Sequence, residues 1–361
     1  MLSKKMQDKG NGIIAKNLQV NENNLMAAGF LHDIGHGPFS HVLDFVMKKV
    51  NGKTHEELAE NLINQLPSEI EDWGITKSSV IQLVKGEHAN PFLGNIINGP
   101  IDVDKLDYLL RDAYHVGFRY SFDLSHFLRA YCVLGDEKEI SKCILGLDST
   151  KQAVVTAELF LVIWKSMYDL VYHAESSRVA EKMMEKAVLL CKDEDKIKNA
   201  FRINNFVEMD DENFLSLMRT TEANNKHLLA VKDPRKLYNK VTEFVLESEG
   251  NNLEMTTEFA EMMAQDHDEL SEKLSLKLNG HLKEEKYTFI CDIVRSKSPK
   301  EIYLNGAEDT QEIELRTRSD LIGAIKSVNV LKVYANPKMK DLKAKANETM
   351  KGLIEGEISI D

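Results

Sequence analysis

The chain has 361 residues, 43% of them hydrophobic and 29% charged, the proportions of an ordinary globular protein long enough for two or three domains. Its formal net charge of −12 disfavours a broad nucleic-acid footprint, which needs clustered Lys and Arg, and leaves room only for a local basic pocket around one small anion. No apolar run is long enough to cross a bilayer, and the opening MLSKKMQDKGNG lacks the apolar core of a signal peptide, so the expectation is a cytoplasmic protein without a membrane partner.

In chain order, NNLMAAGFLHD reads as a short apolar helix stopped by Gly35 and Gly37, and Ser40 is placed to cap the next helix, SHVLDFVMKK. THEELAENLINQL opens with Thr54 and Glu57 at the spacing of a capping box, ahead of an apolar stripe of Leu58, Leu62 and Ile63. Further helices are expected at about 78–85, 101–115 and 123–131, packing with the earlier ones as one helical unit. EISKCILGLDST reads as a strand, and residues 156–191 return to a long apolar helical pattern. Residues 200–280 are polar and helical in pattern, with EMTTEFAEMMAQDHDELSEKLSLKL the clearest piece. KYTFICDIVR and EIYLN then read as strands, SDLIGAIKSV as a helix, VLKVYAN as a strand and the last segment as a helix. Lys332 and the run PKMKDLKAKANETMK read as a solvated helix face. The fold class expected is mainly α, divided into a helical domain at 1–200, a helical extension at 201–284 and a small α/β unit at 285–361. Cys132, Cys143, Cys191 and Cys291 form no CxxC pair and are expected as buried reduced thiols.

The chemistry concentrates in LHDIGHGPFSH, residues 31–41. His32 and Asp33 are adjacent, so on a helix they point about 100° apart and can share an ion only from its edge, near a helix end where another element adds ligands. Imidazole with carboxylate suits Mn, Fe, Ni, Zn or Mg. A His-Asp pair by itself is a weak signal, because such dipeptides are commonly structural. The stretch GPIDVDKLDYLLRDAYHVGF, residues 99–118, supplies context. Helical spacing gathers Leu106, Leu109, Leu110 and Ala113 on one face and lines Asp104, Tyr108 and Asp112 along another, beside Lys105. Taken alone that polar stripe reads as a solvated face balanced by Lys105 and Arg111. Together with the histidine-rich loop it reads as a site.

LHDIGHGPFSH, THEE and IDVDKLDYLLRD together resemble the HD-domain phosphohydrolases, and specifically the deoxynucleoside triphosphate triphosphohydrolase branch that includes the mammalian SAM-and-HD-domain protein. VYHAESSRVAEKMM adds a weaker match, and the resemblance spans about residues 20–190. It implies that 1–200 is a helical HD domain whose metal ligands are His32, Asp33 and Asp104. Lys105 matches a lysine that contacts substrate phosphate, and Tyr108, Asp112 and Tyr172 match residues that face the sugar. His36, His41 and His55 match histidines around the phosphates and the attacked phosphorus. The implied cofactor is a divalent metal ion, the implied partners are a nucleotide, with a dNTP first, and further copies of the same chain.

Members of that family also carry a metal-binding histidine and a neighbouring arginine in an earlier segment resembling RFxHSLG. This chain has no histidine before His32 and no arginine before Arg111. The expectation is therefore a metal-dependent nucleotide hydrolase with an incomplete ligand set and impaired turnover, the alternative being an HD protein that binds a nucleotide or protein partner without turnover. A cyclic-dinucleotide phosphodiesterase and a guanosine tetraphosphate hydrolase are weaker readings, the first for want of a GYP-type extension beyond the doublet.

Overall fold

A computed structural model describes residues 1–221, 225–231, 233–246, 255–295, 300–306, 312–325 and 328–360. The chain is mainly α-helical, with a small α/β unit toward its C-terminus. Seven strands occur among the described residues: β1 (Tyr131–Leu134), β2 (Ile144–Leu147), β3 (Asn239–Val245), β4 (Phe289–Arg295), β5 (Tyr303–Asn305), β6 (Glu312–Glu314) and β7 (Asn329–Ala335). They form two sheets, one ordered β1-β2-β5-β6 and the other β3-β7-β4. No helix among the described residues is long and apolar enough to cross a membrane. The four cysteines are buried thiols, none of them in a disulfide.

The chain folds into two compact units, and each is discontinuous in sequence. The first comprises Met1–His36, His55–Met167 and Ser298–Lys326; the second comprises Gly37–Thr54, Tyr168–Lys297 and Ser327–Asp361. The cut therefore falls differently from three consecutive segments, because β5 and β6 complete the sheet begun by β1 and β2 rather than joining the C-terminal strands.

The first unit holds α1 (Glu22–Leu31), α2 (His55–Gln65), α3 (Val103–His115) and α4 (Lys151–Met167), with shorter helices between them. Leu58, Ala59, Leu62 and Ile63 of α2 and Leu106, Leu109 and Ala113 of α3 are buried, as the apolar spacing requires. Asp102 starts α3 by accepting a hydrogen bond from the Lys105 backbone N–H at 2.8 Å, and so satisfies one of the free donors of the first turn. Phe122, Phe127 and Phe160 meet edge to face with ring centroids 5.4–5.6 Å apart. A helix at Pro91–Asn98 and the strand β1 were not expected; Pro91 at the helix start and the short buried run YCVL are the signals that carry them.

In the second unit, β4 is buried on both faces. Phe289, Cys291 and Ile293 pair with Ala335, Val333 and Leu331 of β7 and pack against Leu270, Leu274 and Leu278 of α6 and Met350 and Leu353 of α7. On the opposite face Ile290 and Tyr334 pack with Val179 and Met183 of α5. Here α5 is Glu175–Leu189, α6 is His267–Leu282 and α7 is Lys343–Ile354. Charges are buried with them: Lys186 Nζ lies 2.6 Å from Glu272, Lys182 Nζ 2.9 Å from both Glu185 and Asp268, and Arg178 grips Asp292 through two nitrogens at 3.1 and 2.6 Å.

Three expectations fail locally. Residues 239–245, placed in the helical 200–280 stretch, form β3, because the alternation in NKVTEFV serves an edge strand on β7. Ser40 does not cap a helix: Phe39 and Ser40 both hold positive φ (58° and 48°), and a 3-10 turn, Ser40–Leu43, precedes the helix Asp44–Asn51. SDLIGAIKSV gives only the short helix Asp320–Gly323, and residues 326–327 of it lie outside the described residues, as does Glu254 of the EMTTEF helix.

His227 is fully buried, and neither ring nitrogen has a hydrogen-bond partner among the described residues. Burial pushes its pKa down to about 3. A depressed folded pKa leaves stability whole above the unfolded value near 6.5 and removes it as pH falls toward 3, by roughly 3–5 kcal/mol for this group. His227→Leu should flatten that part of the acid limb in urea titrations at a series of pH values; an unchanged limb would assign the loss to other groups.

Candidate active site

Three elements of the first unit build the site. Helix α1 ends at Leu31, and His32 and Asp33 follow at its C-terminal end, the edge placement that adjacent ligands need. Asp104, in the first turn of α3, completes the set. His32 Nε2 lies 3.3 Å from an oxygen of Asp33 and 3.3 Å from an oxygen of Asp104. One ligand atom from each of the three residues falls within 4.8 Å of the others.

The ring of His32 is oriented from behind. Its Nδ1 is 2.9 Å from the Gly29 carbonyl, which can only accept, so Nδ1 carries a proton and the Nε2 lone pair of the neutral ring faces the carboxylates. Nε2 is buried, close to both carboxylates but off the line of a hydrogen bond to either. An imidazole nitrogen and two carboxylate oxygens converging in this way fit a divalent ion of the Mn, Fe, Ni, Zn or Mg type. Without one the three groups hold a proton instead: the Asp104 carboxylate chiefly, opposed by burial and helped by Asp33, raises His32 to about 9. Burial works to raise Asp104, but the His32 imidazolium 3.3 Å away holds it below the usual carboxylate range. A cation entering here must displace that proton.

His36 lies beside the cluster, with Nε2 3.6 Å from Asp33. Its ring stacks on His55, centroids 4.1 Å apart at 22°, and His55 Nε2 lies 3.2 Å from Glu56. Gly35 makes the stack possible. A Cβ there would fall 1.9 Å from the His55 carbonyl oxygen and 2.6 Å from Ala59 N, so only glycine lets the loop after Asp33 rest on the first turn of α2.

On α3, Asp104, Tyr108 and Asp112 are half-buried along one stripe, while Asp107 and Arg111 pair at 2.7 Å on the exposed side. The solvated ion pair is thus Asp107–Arg111, and the expected stripe is recessed. The Lys105 ammonium is held by the Asp102 carboxylate and accepted by the Gly99 carbonyl at 3.1 Å. Asp102 is 2% exposed, and burial raises its pKa against the pull of Lys105. The sequence reading passed over Asp102, although an Asp just before a helix and three residues ahead of a lysine carries the N-cap signature.

His41 and Tyr172 belong to the second unit. His41 is exposed with Nδ1 3.1 Å from Asp44, and Tyr172 ends the π-turn Tyr168–Tyr172, edge-on to Tyr168 at 5.0 Å.

The HD domain family matches residues 3–112 and the HD associated region matches residues 145–354, more than half of the chain. An uncharacterised protein of Methanocaldococcus jannaschii is 31% identical over 226 residues, 62% of this chain and 45% of that protein. Human deoxynucleoside triphosphate triphosphohydrolase SAMHD1 is 30% identical over 162 residues, 35% of this chain and 26% of the human one. This chain thus spans less than half the length of these relatives. Among solved structures, a phosphohydrolase of Bacteroides thetaiotaomicron shares the fold with a TM-score of 0.62 at 20% identity, covering 88% of this chain and 80% of that one. A hypothetical protein of Aquifex aeolicus does so with a TM-score of 0.65 at 19% identity, covering 93% and 85%. With an HD domain bearing the convergent His32, Asp33 and Asp104, followed by an HD associated region, the chain belongs to the HD-domain phosphohydrolase superfamily.

Proposed function

We propose that the chain is a metal-dependent phosphohydrolase acting on nucleotides, with deoxynucleoside triphosphates as substrate and deoxynucleoside plus inorganic triphosphate as products. One observation carries this reading: the three metal-type ligands converge at the N-terminal turn of α3, the helix whose recessed stripe also presents Lys105, Tyr108 and Asp112. The likeness over part of its length to proteins named as deoxynucleoside triphosphate triphosphohydrolases supports the substrate class.

A divalent ion held by His32, Asp33 and Asp104 would supply a Lewis acid and a hydroxide source at neutral pH. Lys105 binds the phosphate chain and offsets the charge that grows on it, with Asp102 fixing the direction of the ammonium. Water adds to the α-phosphorus and gives up a proton, the bond from that phosphorus to the sugar 5′ oxygen breaks, and the deoxynucleoside leaves while triphosphate keeps the water oxygen. The 5′ oxygen takes up a proton, for which the stacked His36 and His55 are the candidates. Tyr108 and Asp112 lie one and two turns beyond Asp104 and receive the sugar.

The test is release of inorganic triphosphate from dNTPs with Mn²⁺ added. Lys105→Ala should raise KM for the nucleotide about 10- to 100-fold, the loss of one charged contact, while metal content stays unchanged. Asp112→Ala should lessen discrimination between deoxyribose and ribose. Binding that none of Lys105→Ala, Tyr108→Ala and Asp112→Ala alters would refute the placement. A second reading is nucleotide binding without turnover. Tight dNTP binding with no product under any divalent metal would select it.

A further inference from the structure

The first unit holds a second polar recess that shares no residue with the metal-type cluster and that the reaction proposed above does not use. It is a cavity of about 110 Å³ between the turn after the helix Leu2–Asp8, the turn after β1 and the end of β5, lined by Lys9, Asn11, Asp136, Glu137 and Asn305 together with the buried Cys132. Gly135 shapes its wall: a φ of 107° turns the chain out of β1 into Asp136, and a Cβ there would lie 3.2 Å from Cys143 Sγ.

Opposite charges line this cavity without pairing. Asp136 starts the turn Glu137–Lys142 by accepting from the Lys138 N–H at 2.9 Å, and Glu137 covers the start of the helix Gly12–Val20 by accepting from the Ile13 N–H at 3.2 Å. Main-chain donors rather than a cation thus hold both carboxylates in place, and each keeps spare acceptor capacity. Among the described residues the Lys9 ammonium pairs with neither of them, and Asn11, although it precedes the same helix, does not cap it with its side chain.

We infer that the cavity binds a small zwitterion, the ammonium–carboxylate core of an α-amino acid, with the ammonium on Asp136 and Glu137 and the carboxylate on Lys9. Charge selects the class. Two carboxylates against one ammonium leave an excess of negative charge, which repels a phosphate or a nucleotide carrying two or more negative charges. A simple cation leaves Lys9 unanswered, and a simple anion leaves the two acids so. A zwitterion answers both, and the Asn11 carboxamide is free to donate to its carboxylate. Size agrees with charge. A cavity of about 150 Å³ takes benzene, so one of about 110 Å³ has room for the roughly five heavy atoms of the amino-acid core, with the side chain left at the mouth beside the exposed Lys9.

Ligand-observed saturation-transfer NMR with glycine and L-alanine tests this on the full chain, in chelator-treated wild type and in Asp104→Ala alike, since glycine also chelates metal ions. Both amino acids should bind and compete with each other at concentrations up to about 10 mM. N-acetylglycine and glycinamide, each lacking one of the two charges, should bind at least about tenfold more weakly. Lys9→Met, Asp136→Asn and Glu137→Gln should each weaken glycine by about the same factor, with melting curves unchanged because Asn and Gln keep an acceptor for the main-chain donors. The assignment would be overturned by an absence of saturable glycine binding, by equal binding of N-acetylglycine or glycinamide, or by binding that neither Lys9→Met nor Glu137→Gln weakens. Loss of binding in Asp104→Ala would move glycine to the metal-type cluster, and displacement of glycine by an equal concentration of dAMP would make the cavity a nucleotide site; either result also refutes the inference. It does not depend on the reaction proposed above.

Discussion

Asp104→Ala should strip the protein of metal and lower phosphohydrolase turnover by about a thousandfold or more, because the ion is expected to contribute several kcal/mol to the reaction. Asp104 is the proposed ligand from α3, facing those at the end of α1, so its loss leaves two adjacent residues that reach an ion only from the edge. Metal analysis of wild type, Asp33→Ala and Asp104→Ala gives the direct readout, and equal contents in all three would dispose of the site. A second readout needs no activity. In chelator-treated protein His32 should titrate near 9, and Asp104→Asn should bring it down markedly, since Asp104 is the chief cause of the elevation. A raised folded pKa gives stability that is complete below about 6.5 and is lost as pH climbs through 9. The metal-free wild type should accordingly weaken across that window, and the Asn variant should not.

Gly35→Ala should be the most damaging single methyl in the loop. The added carbon would collide with backbone, the His55 carbonyl and Ala59 N, and backbone cannot step aside as a flexible side chain can. The cost should be at least about 3 kcal/mol of stability, the upper end for an overpacked site. Whatever folded protein remains should have His36 and His55 pulled apart, with turnover down about a hundredfold for a displacement on the order of an ångström. Gly12→Ala is the matched control: Gly12 begins a helix with nothing within 4 Å of the added carbon, and the change should be neutral or stabilising. Equal unfolding midpoints for Gly35→Ala and wild type would show that α2 is not anchored through this contact.

The candidate ligand set came from the family resemblance and not from spacing, since a His-Asp doublet is a weak signal by itself; the structure brings His32, Asp33 and Asp104 within 4.8 Å of one another. Helices α2 and α3 were legible directly, because their apolar stripes are regular. Asp102 was harder to see because its partner is a side chain on its own helix and its importance comes from burial, which spacing does not report. The stacking of His36 on His55 depends on Gly35 touching α2, a contact between segments twenty residues apart that no periodicity encodes. Strand β3 was misread because an edge strand with one wetted face keeps enough Lys, Thr and Glu to pass for a polar helix. Sheet membership was invisible for a different reason: β5 pairs with β2 across more than 150 residues of intervening chain, and nothing local to EIYLN says so.

That long-range pairing bears on how the protein is made. β5 and β6 emerge from the ribosome after most of the second unit, so the sheet of the first unit cannot close while its own helices are being synthesised. The segment Gly37–Thr54 has the opposite problem, emerging early and waiting for α5 to α7 to give it a home. Nascent chains halted before about residue 300 should therefore remain protease-sensitive and dependent on chaperones, and neither unit should be obtainable by cutting the gene at a single point.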